Sequence, residues 1–338
     1  MAEDDRTLLE LLIWWYIIDN SVRRIGKCGR PSMSQAQLVQ PRARRLRGVQ
    51  RRFAMHATAS LNDVFGARLK NALGILTYHR LAEVTFDLPT PTWNVTPQRF
   101  RQQLTGLLAR GYQAWPLRQV LKYHAMSKPI PRNVFVVTFD DGYQCVYHNA
   151  WPVLRQLHIP ATIFLATAYL DSSDRFPFDD WSAAGKSDAA GSWLPLTAAQ
   201  CREMQATGLI QLGSHTHRHE NFRGRTEALE TDLAESLETL RGQFGLNDAP
   251  FAFPFGIFDS AMCASVQRAG LMCALTTQSE LVTPHCTPFQ WGRFTVHEHD
   301  NGRTLAAQLA GWFSLARRIW LRMRGAEAIN NATARRGS

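Results

Sequence analysis

From Leu73 onward the chain alternates two kinds of segment, and that alternation limits the folds open to it. Residues 74–78, 134–139, 161–166, 210–213, 251–255 and 272–277 are short and apolar nearly throughout. Residues 146–157, 197–206, 227–244 and 260–269 instead repeat their apolar side chains every three or four positions. Strands apolar on both faces must be covered on both faces, so the pattern predicts a parallel sheet with helices packed over it. The helices carry their own punctuation. Thr96-Pro97 offers an N-cap followed by proline at the first helical position; Phe100, Leu104, Leu107 and Leu108 form a stripe, and Gly111 stops it. Leu229, Leu233, Leu237 and Leu240 share one face of 227–244. With about seven βα units, closure into a barrel is expected over an open sheet, and active groups then belong at the C-terminal ends of the strands.

At 338 residues and 45% hydrophobic content, the chain can bury one large core, with room for a small appendage. Its net charge of +10 suggests a nucleic-acid partner until the charge is located. Residues 1–70 hold 13 Lys/Arg against 6 Asp/Glu and residues 315–338 hold 6 against 1, which leaves the body between them at −2. A nucleic-acid enzyme needs its positive surface around the site, so no nucleic-acid partner is expected. Cys28, Cys145, Cys201, Cys263, Cys273 and Cys286 show no C-x-x-C spacing. They read as buried small hydrophobes, with bridges in an exported protein as the alternative.

Two polar segments carry the chemistry. Asp140 and Asp141 close an apolar run in Thr138-Phe139-Asp140-Asp141-Gly142-Tyr143, and His215 and His219 stand four apart in Ser214-His215-Thr216-His217-Arg218-His219. Adjacent side chains at a strand end diverge, so the two aspartates can do different jobs. Two imidazoles and one carboxylate are three ligands for a divalent cation, with positions left for water and substrate, and the other carboxylate is available as a base. Taken separately, Asp-Asp-Gly-Tyr is also ordinary turn composition and the histidines an ordinary polar loop. Their conjunction favours the metal site.

In this order the two segments resemble the polysaccharide deacetylase family, the group that includes chitin, peptidoglycan and chitooligosaccharide deacetylases. The resemblance covers residues 73–315 and implies a distorted (β/α) barrel of seven strands. It implies Asp140 as general base, and Asp141, His215 and His219 as ligands of a divalent metal, zinc first. The implied substrate is a carbohydrate carrying an N-acetyl (or O-acetyl) group. His217 is expected to face solvent or to back the ligands. Phe251-Ala252-Phe253-Pro254-Phe255-Gly256 resembles the family's third motif, in which the residue after the proline, here Phe255, offers its backbone N–H to the developing oxyanion. Many members place an arginine two residues before that proline to orient the base. Ala252 stands there in this chain, and Arg293, in Trp291-Gly292-Arg293-Phe294, is assigned the role. The general acid is left among His79 (in Tyr78-His79-Arg80), His297 and His299, with His79 preferred for its place at a strand end. An amidase acting on small amides, and a non-catalytic carbohydrate-binding member, are the alternative readings.

Residues 171–195 interrupt the alternation, and a long irregular loop inside a barrel is more often functional than not. Trp181 and Trp193 there offer rings to a sugar face, although packing against the barrel is the commoner fate of such tryptophans. The flanks read differently: 1–72 as a basic, mostly disordered extension and 316–338 as a basic tail. The opening Met1-Ala2-Glu3-Asp4-Asp5 is acidic where an export signal is basic. The apolar stretch that follows is too short to cross about 30 Å of hydrocarbon. A cytoplasmic or peripheral-membrane location is expected, with the basic flanks making any membrane contact. A translation start at Met55 is the other reading of residues 1–54.

Overall fold

The computed structural model describes residues 54–69, 71–84, 87–184 and 192–316. The basic segments 20–52 and 317–338, and the apolar stretch near the start of the chain, lie outside the described residues. Among the described residues no helix is long and apolar enough to cross a membrane. A compact unit spans Leu69–Leu305, and the described residues 54–68 and 306–316 belong to a second unit. Within that second unit, Trp312 Nε1 donates to the Gly66 carbonyl at 2.9 Å.

Eight strands form one parallel sheet: β1 (Gly74–Tyr78), β2 (Gln113–Ala114), β3 (Val134–Phe139), β4 (Ala161–Leu165), β5 (Ile210–Ser214), β6 (Phe251–Ala252), β7 (Ala274–Leu275) and β8 (Phe294–Thr295). The order is β7-β6-β5-β4-β3-β1-β8, with β2 paired on β3. The two edges meet through Trp291, just before β8. Thr276 N–H donates to the Trp291 carbonyl at 2.8 Å, and Trp291 N–H to the Ala274 carbonyl at 3.1 Å. The sheet therefore curls into the distorted seven-membered (β/α) barrel that the pattern predicts, with β2 as an extra rung.

Helices α1 (Pro97–Leu108), α2 (Leu117–Ala125), α3 (Trp151–Leu157), α4 (Ala198–Ala206), α5 (Thr226–Phe244), α6 (Ser260–Arg268) and α7 (Gly302–Leu309) follow the strands. Their starts are chemically specified. Thr96 Oγ1 accepts from Arg99 N–H, Thr197 and Gln200 close a reciprocal capping box, and Asp259 accepts from Met262 N–H. Ile75, Val136, Phe164, Ala252, Leu275 and Trp291 meet in one buried cluster, joined by Leu117 and Val120 of α2. Burial of this kind stabilises by about 25 cal/mol per Å² of apolar surface and holds the strand ends in fixed register.

Three local departures from the sequence expectation have physical causes. Residues 146–157 are one helix interrupted in winding: a π-helical turn covers Val146–Ala150 before α3 begins. Pro152 lacks the N–H that a regular helix needs there, and its ring would press on a carbonyl one turn back. The strand expected over 251–255 ends after Ala252 because Pro254–Gly256 turn into a 3-10 turn with Phe255 left-handed at φ 57°. Strands β2 and β8 have two residues each, too few to show a period.

Gly213, two residues before His215, sits where the barrel leaves no room. A Cβ there would lie 2.7 Å from the Pro250 carbonyl oxygen and 2.8 Å from the Phe164 ring. Gly213→Ala is expected to cost about 1–3 kcal/mol of stability by overpacking. The measurement is a thermal midpoint, which should fall by about 2–4 °C per kcal/mol in a domain of this size.

Candidate active site at the barrel mouth

Asp140 and Asp141 leave the end of β3 in opposite directions, and the backbone reversal is steep: Asp141 is left-handed at φ 70°. Asp140, 2% exposed, faces the barrel interior, where Arg293 grips it with both arms. Arg293 Nη1 donates to Asp140 Oδ1 at 2.6 Å and Nη2 to Oδ2 at 2.7 Å, a fork-to-fork pair with high geometric specificity. The same guanidinium donates through Nε to the Thr276 carbonyl at 3.0 Å and through Nη1 to Thr77 Oγ1 at 3.1 Å. Burial pushes the Asp140 carboxyl up, but the charges of Arg293, His215 and His79 outweigh it and hold it below the ordinary range. Arg293, paired with Asp140 on the family resemblance, thus lies directly against its carboxylate.

Asp141 turns toward the histidine loop. His215 Nε2 lies 3.4 Å and His219 Nε2 3.3 Å from Asp141 Oδ1, and all three residues are buried. Donor atoms bonded to one cation at about 2.0–2.2 Å in tetrahedral array would be about 3.3–3.5 Å apart, so the spacing suits a shared ion. Tautomers suit it too. His215 Nδ1 meets the Ala252 carbonyl at 2.7 Å, which leaves Nε2 to present its lone pair. Burial and the neighbouring His215 push the His219 pKa down to about 3, so this imidazole is neutral. Burial alone would also lower that of His215, yet Asp140 and Asp141 hold it above the ordinary value. Two buried carboxylates beside one guanidinium and two imidazoles make a pocket whose charge suits a cation.

The loop 215–219 is held by groups that the sequence reading passed over. Asp232 on α5, 1% exposed, accepts from the backbone N–H of His217 and, at 3.1 Å, of Arg218. Ser236, one turn further on, shares a 2.8 Å hydrogen bond with Ser214. Thr216 and His219 are left-handed, at φ 67° and 54°, and His219 N–H donates to Thr216 Oγ1 at 2.9 Å. The His217 ring lies outside the Asp141–His215–His219 cluster, its Nδ1 2.9 Å from Thr167 Oγ1 and its Nε2 3.8 Å from Glu235. Asp232 could have been noticed as an acidic residue on the apolar side of an amphipathic helix.

The remaining expected residues divide. His79 Nε2 stands 3.8 Å from Asp140 Oδ2 at the end of β1. His297 and His299 stack on each other at 5.4 Å beyond β8, and it is His79 that meets Asp140. Phe255 has its ring 4.6 Å from His219, and its backbone N–H has no acceptor within the protein among the described residues. The other wall of His219 is Phe178, with ring centroids 3.9 Å apart, contributed by the irregular 171–184 segment. That segment is anchored by Arg80, which is ion-paired with Asp179 and lies 4.4 Å over the Tyr143 ring. Trp181 is 3% exposed and donates from Nε1 to the Pro89 carbonyl at 2.8 Å, so it packs the loop rather than presenting a ring to a sugar. Trp193 packs against the same small cluster.

A carboxylate gripped by arginine, beside three converging side chains at the mouth of a parallel barrel, suits hydrolytic chemistry. The sequence profile of the polysaccharide deacetylase family matches residues 127–274, a span holding Asp140, Asp141, His215, His219 and Phe255. That span is a polysaccharide deacetylase domain, and the enzyme class is that of a carbohydrate deacetylase. The chain is 27% identical over 262 residues to the poly-beta-1,6-N-acetyl-D-glucosamine N-deacetylase of Staphylococcus epidermidis, covering 72% of this chain and 85% of that one. Among solved structures it is similar to IcaB from Ammonifex degensii, with 24% identity and a TM-score of 0.57 over 72% of this chain and 97% of that one. It is also similar to the deacetylase PplD of Streptococcus pyogenes, with 21% identity and a TM-score of 0.60 over 70% and 98%. At these identities the two structures speak for the fold alone.

Truncating Arg293 would strand a buried carboxylate. Arg293→Ala is expected to destabilise by about 3–5 kcal/mol, the cost of an unpaired buried charge. Arg293→Lys should recover only part of the stability and little of the activity, because an ammonium cannot make the two-point grip. Chemical denaturation and acetate-release assays on both variants read this out.

Proposed function

We propose that the chain is a metal-dependent N-deacetylase of β-1,6-linked poly-N-acetylglucosamine. The observation that carries the metal site is the convergence of Asp141 Oδ1 with His215 and His219 Nε2, beside a second carboxylate held apart by Arg293. The named activity of the Staphylococcus epidermidis relative supports the substrate. Asp141, His215 and His219 would hold a divalent cation, zinc first on the nitrogen-rich donor set, supplying a Lewis acid that polarises the acyl carbonyl and activates water near neutral pH.

The protein's own groups then have distinct tasks. Asp140 takes the proton of the attacking water. Its lowered pKa keeps it ionised and ready at neutral pH, and Arg293 keeps its oxygens aimed. The Phe255 N–H donates to the oxygen on which negative charge develops, a contribution of about 2.7–4 kcal/mol for one such donor. His79, next to Asp140, donates a proton to the amine nitrogen as the C–N bond breaks.

The division of labour is testable. Asp141→Ala, His215→Ala and His219→Ala should each lose bound metal and activity together, whereas Asp140→Asn should keep its metal and lose about 10²–10⁴-fold in turnover. Metal analysis by mass spectrometry beside acetate release decides it, and full metal occupancy in His219→Ala would sink the assignment. His79→Ala should lose amide hydrolysis but keep most of its turnover of an aryl acetate, whose phenolate leaves without a proton. Equal losses on both substrates would remove His79 from the acid role.

A further inference from the structure

Trp93 is the most exposed Trp, Phe or Tyr among the described residues, at 59%, yet the backbone around it is fixed by hydrogen bonds on both sides. Its backbone is left-handed at φ 50°, a conformation costly for a bulky side chain that persists only where the surroundings impose it. The surroundings do so. The Trp93 carbonyl accepts from Arg80 N–H at 3.3 Å, and Val95 N–H donates to the Arg80 carbonyl at 3.1 Å. The Asn94 side chain pairs with both backbone groups of Ala82 at 2.8 Å. On its other side, the Thr92 carbonyl accepts from Arg80 Nη1 at 3.4 Å and Thr92 Oγ1 donates to Asp180. The indole stacks on His79, with centroids 5.6 Å apart and planes 28° apart, and His79 stands 3.8 Å from Asp140. A large apolar ring fixed in solvent, one residue away from the proposed base, has no packing reason to be exposed.

We propose that Trp93 is a substrate platform: its indole stacks on the apolar face of the sugar unit next to the one being deacetylated. A pyranose ring offers a patch of C–H groups that suits a flat aromatic face, and aromatic side chains with fixed rotamers bind at low entropic cost. The platform lies on the His79 side of the mouth, and Phe255 and Phe178 line the His219 side, so the chain of sugars runs past Asp140 between them. Trp93 thereby sets the preference for oligomers over single sugars. This inference rests on the carbohydrate reading given under Proposed function.

The test compares chain lengths and separates binding from chemistry. For Trp93→Ala, KM on a β-1,6-linked N-acetylglucosamine pentamer should rise about tenfold, equal to about 1.4 kcal/mol. N-acetylglucosamine itself should lose far less in kcat/KM, and Trp93→Phe should restore most of the pentamer affinity. In the inactive Asp140→Asn background, calorimetry should show the pentamer binding about tenfold more weakly when Trp93→Ala is added. Trp93→Leu keeps apolar bulk without the ring and carries the same comparison if the alanine variant does not fold. A fall in kcat that is equal on all chain lengths would mean Trp93 acts only by positioning His79, and would overturn the platform. Unchanged pentamer binding in the Asp140→Asn background would overturn it as well. Failure of the underlying reading looks different: the unmodified chain would hydrolyse an aryl acetate, release no acetate from the pentamer and bind none, and the platform would fall with it.

Discussion

Arg293 joins the architecture to the chemistry. It enters on the segment that closes the barrel, just before β8, and its guanidinium reaches Thr276 after β7, Thr77 on β1 and Asp140 after β3. One fully buried cation therefore links three strand ends around the closure, with the Phe164 ring of β4 5.6 Å away. Burying a charge is costly, and such a pair is poor value as a source of stability alone. Its use here is positional. The Asp140 carboxylate cannot rotate while both of its oxygens are held, and the barrel cannot open at β8 without breaking that grip. Closure of the fold and orientation of Asp140 are the same interaction.

Strain collects around that point. Asp141, Thr216, His219 and Phe255 all have positive φ, and each such residue costs about 1–3 kcal/mol relative to relaxed backbone. Three of them aim groups of the proposed site, a carboxylate oxygen, an imidazole and a backbone N–H, and Thr216 accepts the His219 N–H through its hydroxyl. The compensation is local. Asp232 and Ser236 on α5 hold the histidine loop from behind, Ala252 fixes the His215 tautomer, and the Phe178 and Phe255 rings enclose His219. The aromatic walls also lower the dielectric around His219, which would strengthen its interaction with a cation in the proposed site.

What could be read from the sequence followed from how local each signal is. The long apolar strands β1, β3 and β4 and the capped helices α1 and α4 carry their period and their end signals within a dozen residues. The cluster of Asp141, His215 and His219 was legible because two of its residues come from one short loop and the third is adjacent to Asp140. Strands β2 and β8, two residues each, exist through pairing with distant neighbours and leave no period to detect, while β6 and β7 are shorter than the apolar runs that contain them. The same limit applies to the groups that hold the site. Asp232 supports a loop 15 residues away, Phe178 belongs to a segment without regular structure, and Trp93 looks like one more aromatic residue before a helix cap. The tryptophans that did attract notice, Trp181 and Trp193, sit in a variable-looking loop yet serve to pack it, because a long loop must bury something to keep its own shape.

Arg80 shows how that packing reaches the mouth. Its guanidinium, 1% exposed, pairs with Asp179 and lies between the Tyr143 and Trp181 rings. Asp179 follows Phe178, the ring against His219, and the Arg80 backbone N–H holds the carbonyl of Trp93, the ring against His79. A single residue at the end of β1 thus sets the position of an aromatic wall on each side of the site. Tyr78-His79-Arg80 is for this reason more than a strand terminus. Tyr78 packs in the core, His79 turns to Asp140, and Arg80 carries the rim, three consecutive residues whose alternation at the strand end sends each to a different layer of the molecule. A hydrophobic pair at Arg80 and Asp179 could match the ion pair in stability, but it would not fix the register of the loop against β1, and the walls on both sides depend on that register.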